Sequence, residues 1–415
     1  HQVAQILQTQ EENGWTFNER AAWELTQTLQ KEYEETCKIL RARHPQVEAS
    51  QFTPKRNNQT QGYIQGATFT KLKELNPTSR DHIAWILTTH YGWKASSMTL
   101  TGKPVIDEVV LKDLAQEKPE MADIAMMFFK CLDLTKKLGM LSEGNNAWQK
   151  LVTKSKIHHH CSVATHTFRC AHRRPNLSQV PSDERFRKLF TASPDQVMVG
   201  ADLSGIELRM LAHYLHPYDG GRYSDILLNG DIHQVNADKI GISRKLVKTV
   251  TYAFLYGAGD IKIGLSFEQC LSKDKARKKG KEIRTAFVNA IPGLKSLLAA
   301  VKARAKGGFI KAVDGRKVLV DSDHKALNYL LQSSAGVIAK RWMIIANEMI
   351  HTHPYFTANQ LAFIHDELQF ETPPKYEHDI RFILELSAAR AGEYYNLRLP
   401  IAAESKSGSN WSEVH

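Results

Sequence analysis

The chain has 415 residues, 42% hydrophobic and 24% charged, with a net charge of +11 and a pI near 9.2. That length exceeds one compact core and calls for two to four subdomains, and the composition excludes a membrane-spanning or a disordered chain. The positive balance favours a polyanionic partner, nucleic acid first, although solubility alone accounts for a basic surface as well.

Residues 1–45 show helical periodicity that stops at His44-Pro45, which predicts a helix pair. Ser50 to Gly66 is polar and rich in Gln and Asn, an exposed loop or tip that holds Lys55 and Arg56. Helix resumes after a Ser/Thr cap at Thr78-Ser79 and continues from Glu108 to Lys137. From about Lys156 the texture turns to short β-prone pieces. Gln196 to Ala201 reads as a buried strand ending at Asp202, followed by a helix through Glu207 to Leu215. Helices dominate from Ile232 to Ala305 and include the basic stretch Lys273 to Arg284. Asp314-Gly315 supplies a turn, Val318 to Val320 a strand, and Leu327 to Met349 a long apolar helix. Leu361–Ile364 and Leu368–Phe370 flank His365-Asp366-Glu367 as a tight hairpin. The expected class is α+β, with strands gathered around two acidic turns. Cys37, Cys131, Cys161, Cys170 and Cys270 are few and odd in number, so free thiols in a reducing cytoplasm are expected and no disulfides. The chain opens on His1 without signal-peptide order, which reads as a processing boundary.

Two isolated aspartates at strand ends, Asp202 and Asp366, suit two-metal phosphoryl transfer, in which ions about 3.5–4 Å apart are bridged by rigidly held oxygens. Either one alone is more often a turn residue. Arg244, Lys248, Tyr252 and Tyr256 recur every four residues and share one slowly drifting helix face that could clamp a triphosphate. As a bare pattern, that face reads more readily as a solvated surface. Gly257 and Gly259 mark the helix end.

In combination these segments resemble family A DNA polymerases, in particular the replicative enzymes of short-tailed phages. Asp202-Leu203-Ser204-Gly205-Ile206-Glu207-Leu208-Arg209 is similar to the first palm motif, the Arg244-to-Gly257 spacing to the fingers helix, and His365-Asp366-Glu367 to the third motif. Gly230-Asp231-Ile232-His233, Leu331-Gln332-Ser333, Asn410-Trp411 and Arg174 to Pro181 extend the likeness over most of the chain. The resemblance implies a right-hand fold with palm, fingers and thumb, and an antiparallel palm sheet bearing the catalytic carboxylates. Helices over 1–45 would lead into a thumb at 46–150; 151–215 and 318–415 would form the palm and 216–317 the fingers.

It also implies two Mg2+ ions, with Mn2+ as substitute, held by Asp202, Asp366 and the backbone carbonyl of Leu203. His233, Arg244 and Lys248 would neutralise the incoming triphosphate, and Glu207 would exclude a 2′-hydroxyl. Tyr252 goes with acceptance of dideoxynucleotides, and Tyr256 would stack near the templating base. Arg169, Asn328, Gln332 and His365 resemble residues that touch primer and template, with Lys55 and Arg56 as further candidates for DNA contact, while Glu367 supports the metals. Primer-template DNA and deoxynucleoside triphosphates are the implied partners of a monomer in the host cytoplasm, with any helicase or processivity factor left open.

Thr167-Phe168-Arg169 departs from the family's usual Thr-Gly-Arg, which puts the role of Arg169 in question. The short stretch between Pro45 and Asn76 argues against thioredoxin as a partner, and no exonuclease carboxylate set precedes the thumb, so proofreading is not expected from this chain. Rival readings are a catalytically silent primer-template-binding scaffold, against which Asp202, Asp366, Arg244 and Lys248 stand, and a reverse transcriptase or RNA polymerase, against which Glu207 and Tyr252 stand for the nucleotide. RNA templates stay open. His158, His159, His160, Cys161, His166, Cys170 and His172 hold zinc-type ligands at a spacing that fits no standard finger. Ordinary polar strand residues are the simpler reading there, with structural or regulatory zinc as the alternative.

Overall fold

In the computed structural model the chain divides into two units, residues 22–147 and residues 1–21 with 148–415. All residues are described except 96, 164, 269, 270 and 272, together with the side chains of 50 and 273; Cys270 therefore lies outside the described residues.

The unit of residues 22–147 is mostly helical. Helices Glu19–Arg43, Arg80–Tyr91, Glu108–Glu117 and Pro119–Leu138 close over a core that includes Leu40, Ile83, Leu87, Leu111, Ile124 and Phe128. Ser79 caps the second of these by accepting from the His82 N–H, as its position in the sequence predicts. The Gln/Asn-rich stretch is the exposed tip of a hairpin whose strands, Gln46–Phe52 and Phe69–Glu74, carry too few buried side chains to show a period of two in the sequence.

The other unit opens with α1 (Gln2–Asn13) and a pair of short strands, β1 (His160–Ser162) and β2 (Ala171–Arg173). Its centre is a four-stranded antiparallel sheet made of β3 (Val197–Leu203), β4 (Asn359–Ile364), β5 (Glu367–Thr372) and β6 (Ala403–Gly408), in the order β4-β5-β3-β6. The strand before Asp202 thus runs on to Leu203, because the Leu203 N–H still finds the Asp366 carbonyl at 3.0 Å. Following β3 are α2 (Ile206–Asp219), α3 (Ile232–Ile240), α4 (Arg244–Leu255), α5 (Ala326–Thr352) and α6 (Glu377–Tyr394), and the chain closes on α7 (Trp411–Val414).

α5 is apolar around most of its circumference, as a helix enclosed by protein must be. Its Trp342 is fully buried and donates from Nε1 to the Leu384 carbonyl of α6 at 2.8 Å, so truncation to Ala would cost about 3–5 kcal/mol. The four described cysteines carry free thiols. Among the described residues, no single helix is long and apolar enough to cross a membrane.

Candidate active site

The acidic centre follows from strand register. Asp202 on β3 pairs with Glu367 on β5 and with Glu404 on β6, and directly opposed residues of an antiparallel pair project to one face. Asp366 joins this row from the two-residue turn between β4 and β5. His365 before it has φ +62°, a conformation that a non-glycine residue keeps only when its surroundings hold it there. Because the Leu203 N–H points at the Asp366 carbonyl, the strand alternation turns the Leu203 C=O to that same side.

Like charges so aligned repel. Partial desolvation, with Glu367 as the next cause, raises the Asp202 carboxyl to about 6; burial and then Asp202 itself raise Asp366 to about 7. Glu367 is buried and fixed, accepting from Trp411 Nε1 at 2.6 Å and Gln369 Nε2 at 2.7 Å, with His415 Nδ1 at 3.0 Å. A rigid set of hard oxygens carrying surplus negative charge suits divalent cations such as Mg2+. Glu404 has no signature in the sequence; only the register of β6 reveals it.

Glu207, in the first turn of α2, is buried. One of its carboxylate oxygens accepts both from Arg169 Nη2 at 2.6 Å and from Tyr256 Oη at 3.1 Å. The Tyr256 hydroxyl is correspondingly pushed up to about 12, by desolvation first and Glu207 second. The bulky Phe168 beside Arg169 does not crowd this arrangement, since its ring lies under the Arg316 guanidinium at 4.4 Å. Gly336 of α5 lets the backbone at Thr167-Phe168 pass close, where a Cβ would come within 3.2 Å of the Phe168 carbonyl group.

α4 begins at the Ser243 cap and buries Val247, Val250, Thr251, Phe254 and Leu255, which leaves Arg244, Lys248, Tyr252 and Tyr256 on its other side. Burial first, then Glu207 and Asp366, raise the Tyr252 hydroxyl, so this side faces the acidic centre. His233 lies 6.2 Å from the Tyr252 ring, its Nδ1 buried without a partner, and burial lowers its pKa. Arg244 Nε donates to Asp231 at 2.6 Å, a contact the spacing did not foretell. Asp231 caps α3 in the same geometry, and the Arg244 bond with those caps holds its carboxyl below the usual range.

Of the four DNA-contact candidates in this unit, Asn328 spends one amide proton on the Leu255 carbonyl at 2.7 Å, beside Gly257. Gln332 is one turn further along α5, half-buried, and His365 is half-buried with its Nδ1 unpartnered. Arg169 is committed to Glu207. Lys55 and Arg56 are exposed and belong to the other unit.

The fold is that of a polymerase domain: it matches the POL domain of Pol1 from M. smegmatis, solved in complex with DNA primer-template and dNTP. The TM-score is 0.80 at 19% identity, over 100% of this chain and 70% of that one. The sequence model of DNA polymerase family A matches residues 46–413. The DNA-directed DNA polymerases of Enterobacteria phage T3 and Escherichia phage T7 are each 32% identical over 497 aligned positions, covering 100% of this chain and 69% of theirs. This chain belongs to DNA polymerase family A.

Proposed function

We propose that the chain is a DNA-directed DNA polymerase that adds deoxynucleotides to a primer 3′ end on a DNA template with release of pyrophosphate, in phage DNA replication. The observation that carries this reading is the row Asp202, Glu367 and Glu404 with Asp366 at its hairpin, facing the Arg244–Tyr256 side of α4.

Asp202, Asp366 and the Leu203 carbonyl would hold two Mg2+ ions, with Mn2+ as substitute. When bound, such ions lower the pKa of the primer hydroxyl and neutralise charge on the leaving pyrophosphate. Glu367, clamped by Trp411 and His415, keeps the neighbouring carboxylates in register. Lys248 and Arg244 pair with the triphosphate, and Arg244 exchanges Asp231 for a phosphate oxygen as it does so. His233 would donate from its unpartnered side. Glu207, immobilised by Arg169 and Tyr256, fills the space a 2′-hydroxyl would need, which makes the substrate a deoxynucleotide. Tyr252 admits dideoxynucleotides.

On this reading residues 46–150 serve as thumb, 216–317 as fingers, and 151–215 with 318–415 as palm. The protein acts as a monomer in the host cytoplasm, without thioredoxin. The test is Mg2+-dependent extension of a primed DNA template with deoxy-, dideoxy- and ribonucleotides. Extension by the first and termination by the second support the reading. Equal use of ribonucleotides contradicts the role of Glu207.

A further inference from the structure

We propose that His159, Cys161 and His172 form a buried binding site for one thiophilic cation of the zinc type, separate from the acidic centre. Their ligand atoms lie within 4.8 Å of one another and all three residues are buried. Cys161 and His172 are directly opposed across β1 and β2, and His159, two residues before Cys161, shares its face. Cys161 Sγ and His172 Nδ1 are 3.2 Å apart. Bonds of about 2.3 Å to sulfur and 2.0–2.1 Å to nitrogen at a tetrahedral angle require about 3.5 Å, a shift of a few tenths of an ångström.

An amide chain fixes the protonation pattern. Asn347 Nδ2 donates to the Met343 carbonyl at 2.9 Å and to Gln360 Oε1 at 2.7 Å, and Gln360 Nε2 donates to Gln10 Oε1 at 2.8 Å. Gln10 on α1 must therefore turn its NH2 inward, 3.1 Å from His159 Nε2 and 3.5 Å from Cys161 Sγ. His159 Nε2 is thereby the acceptor nitrogen, its lone pair taking the Gln10 N–H on the side of the cluster. Two buried neutral imidazoles suit this role, and burial holds His159 at about 3 and His172 at about 4. The nitrogens turned away from the cluster, His159 Nδ1 and His172 Nε2, have no partner, so neither ring is held in place by a second hydrogen bond.

On binding, the Cys161 thiol gives up its proton to solvent as the metal–sulfur bond forms, and the Gln10 NH2 swings aside from the position the ion takes. Because the His172 ring packs edge-on against His365 at 5.9 Å, an ion here would brace the strands behind the turn that presents Asp366.

The test uses the full chain with Asp202→Asn and Asp366→Asn, which removes the acidic centre as a competing site. After chelation and desalting it is titrated with Co2+ and then Zn2+. One equivalent of cobalt should produce a thiolate-to-cobalt charge-transfer band that one equivalent of zinc abolishes, and zinc should raise the melting temperature. Cys161→Ser should lose the band and bind cobalt at least about tenfold more weakly. Cys170→Ser should keep both. If Cys161→Ser does not fold, as read by circular dichroism, His172→Gln takes its place and should weaken binding to the same degree. No charge-transfer band in the chain with all its cysteines overturns the proposal, as does a band that survives in Cys161→Ser and vanishes in Cys170→Ser.

Discussion

Replacing Glu207 by Ala should open the sugar site to ribonucleotides. The carboxylate has little freedom to retreat from a 2′-hydroxyl, because one of its oxygens is held at 2.6 Å by Arg169 and at 3.1 Å by Tyr256. Forcing extra atoms into a close-packed site costs about 1–3 kcal/mol, which corresponds to a factor of about 5 to 150 in relative rate. The quantity to measure is kcat/KM for a ribonucleotide divided by that for the matching deoxynucleotide, in single-nucleotide extension of a primed template. Glu207→Ala should raise this ratio by that factor. Glu207→Gln keeps the bulk and an oxygen for both donors, and should leave the ratio within about threefold while costing stability through the broken ion pair, whose side chains are 21% and 10% exposed. An unchanged ratio in an active Glu207→Ala enzyme refutes the steric role.

Without divalent ions, Asp366 at about 7 and Asp202 at about 6 both lie above their unfolded values, so the stability these groups contribute is present at acid pH and lost as pH rises through 6 to 7. The melting temperature of the metal-free protein should accordingly carry a component that falls between about pH 4 and 7; Asp366→Asn should flatten it, and Mg2+ should oppose the fall in the unaltered chain only. Asp231→Asn keeps a cap for α3 but frees Arg244 from an exposed ion pair, so KM for the deoxynucleotide should drop about two- to fivefold in steady-state kinetics. Tyr252→Phe should lower dideoxynucleotide use relative to deoxynucleotide use by roughly tenfold to a hundredfold, read from the terminated fraction on a sequencing ladder.

Much of this architecture is legible in the sequence where one residue type at one spacing has one physical meaning. The helices on either side of Pro45, the apolar helix after Lys325 and the hairpin around His365-Asp366-Glu367 all follow from periodicity and turn chemistry. Asp202 and Asp366 stand out as carboxylates ending apolar strands. What the sequence hides is produced by register and by long-range partners. Glu404 stands opposite Asp202 only because β6 pairs with β3, and Asp231 meets Arg244 only once α3 and α4 pack together. Trp411 and His415 reach Glu367 from over forty residues away. The histidine-rich segment illustrates the same limit. Its spacing favours polar strand residues, and His158 and His166 are indeed exposed. His159, Cys161 and His172 converge in a buried cluster because β1 and β2 pair beneath α1, which no local spacing encodes.

The central claim, synthesis at the Asp202–Asp366 centre, is tested most directly by single-turnover incorporation of the correct deoxynucleotide in Mg2+, comparing the unaltered chain with Asp366→Ala while primer-template binding is measured in parallel. The account predicts a rate lowered by about a thousandfold or more in the variant with DNA binding retained. Incorporation at an undiminished rate in Asp366→Ala would contradict it.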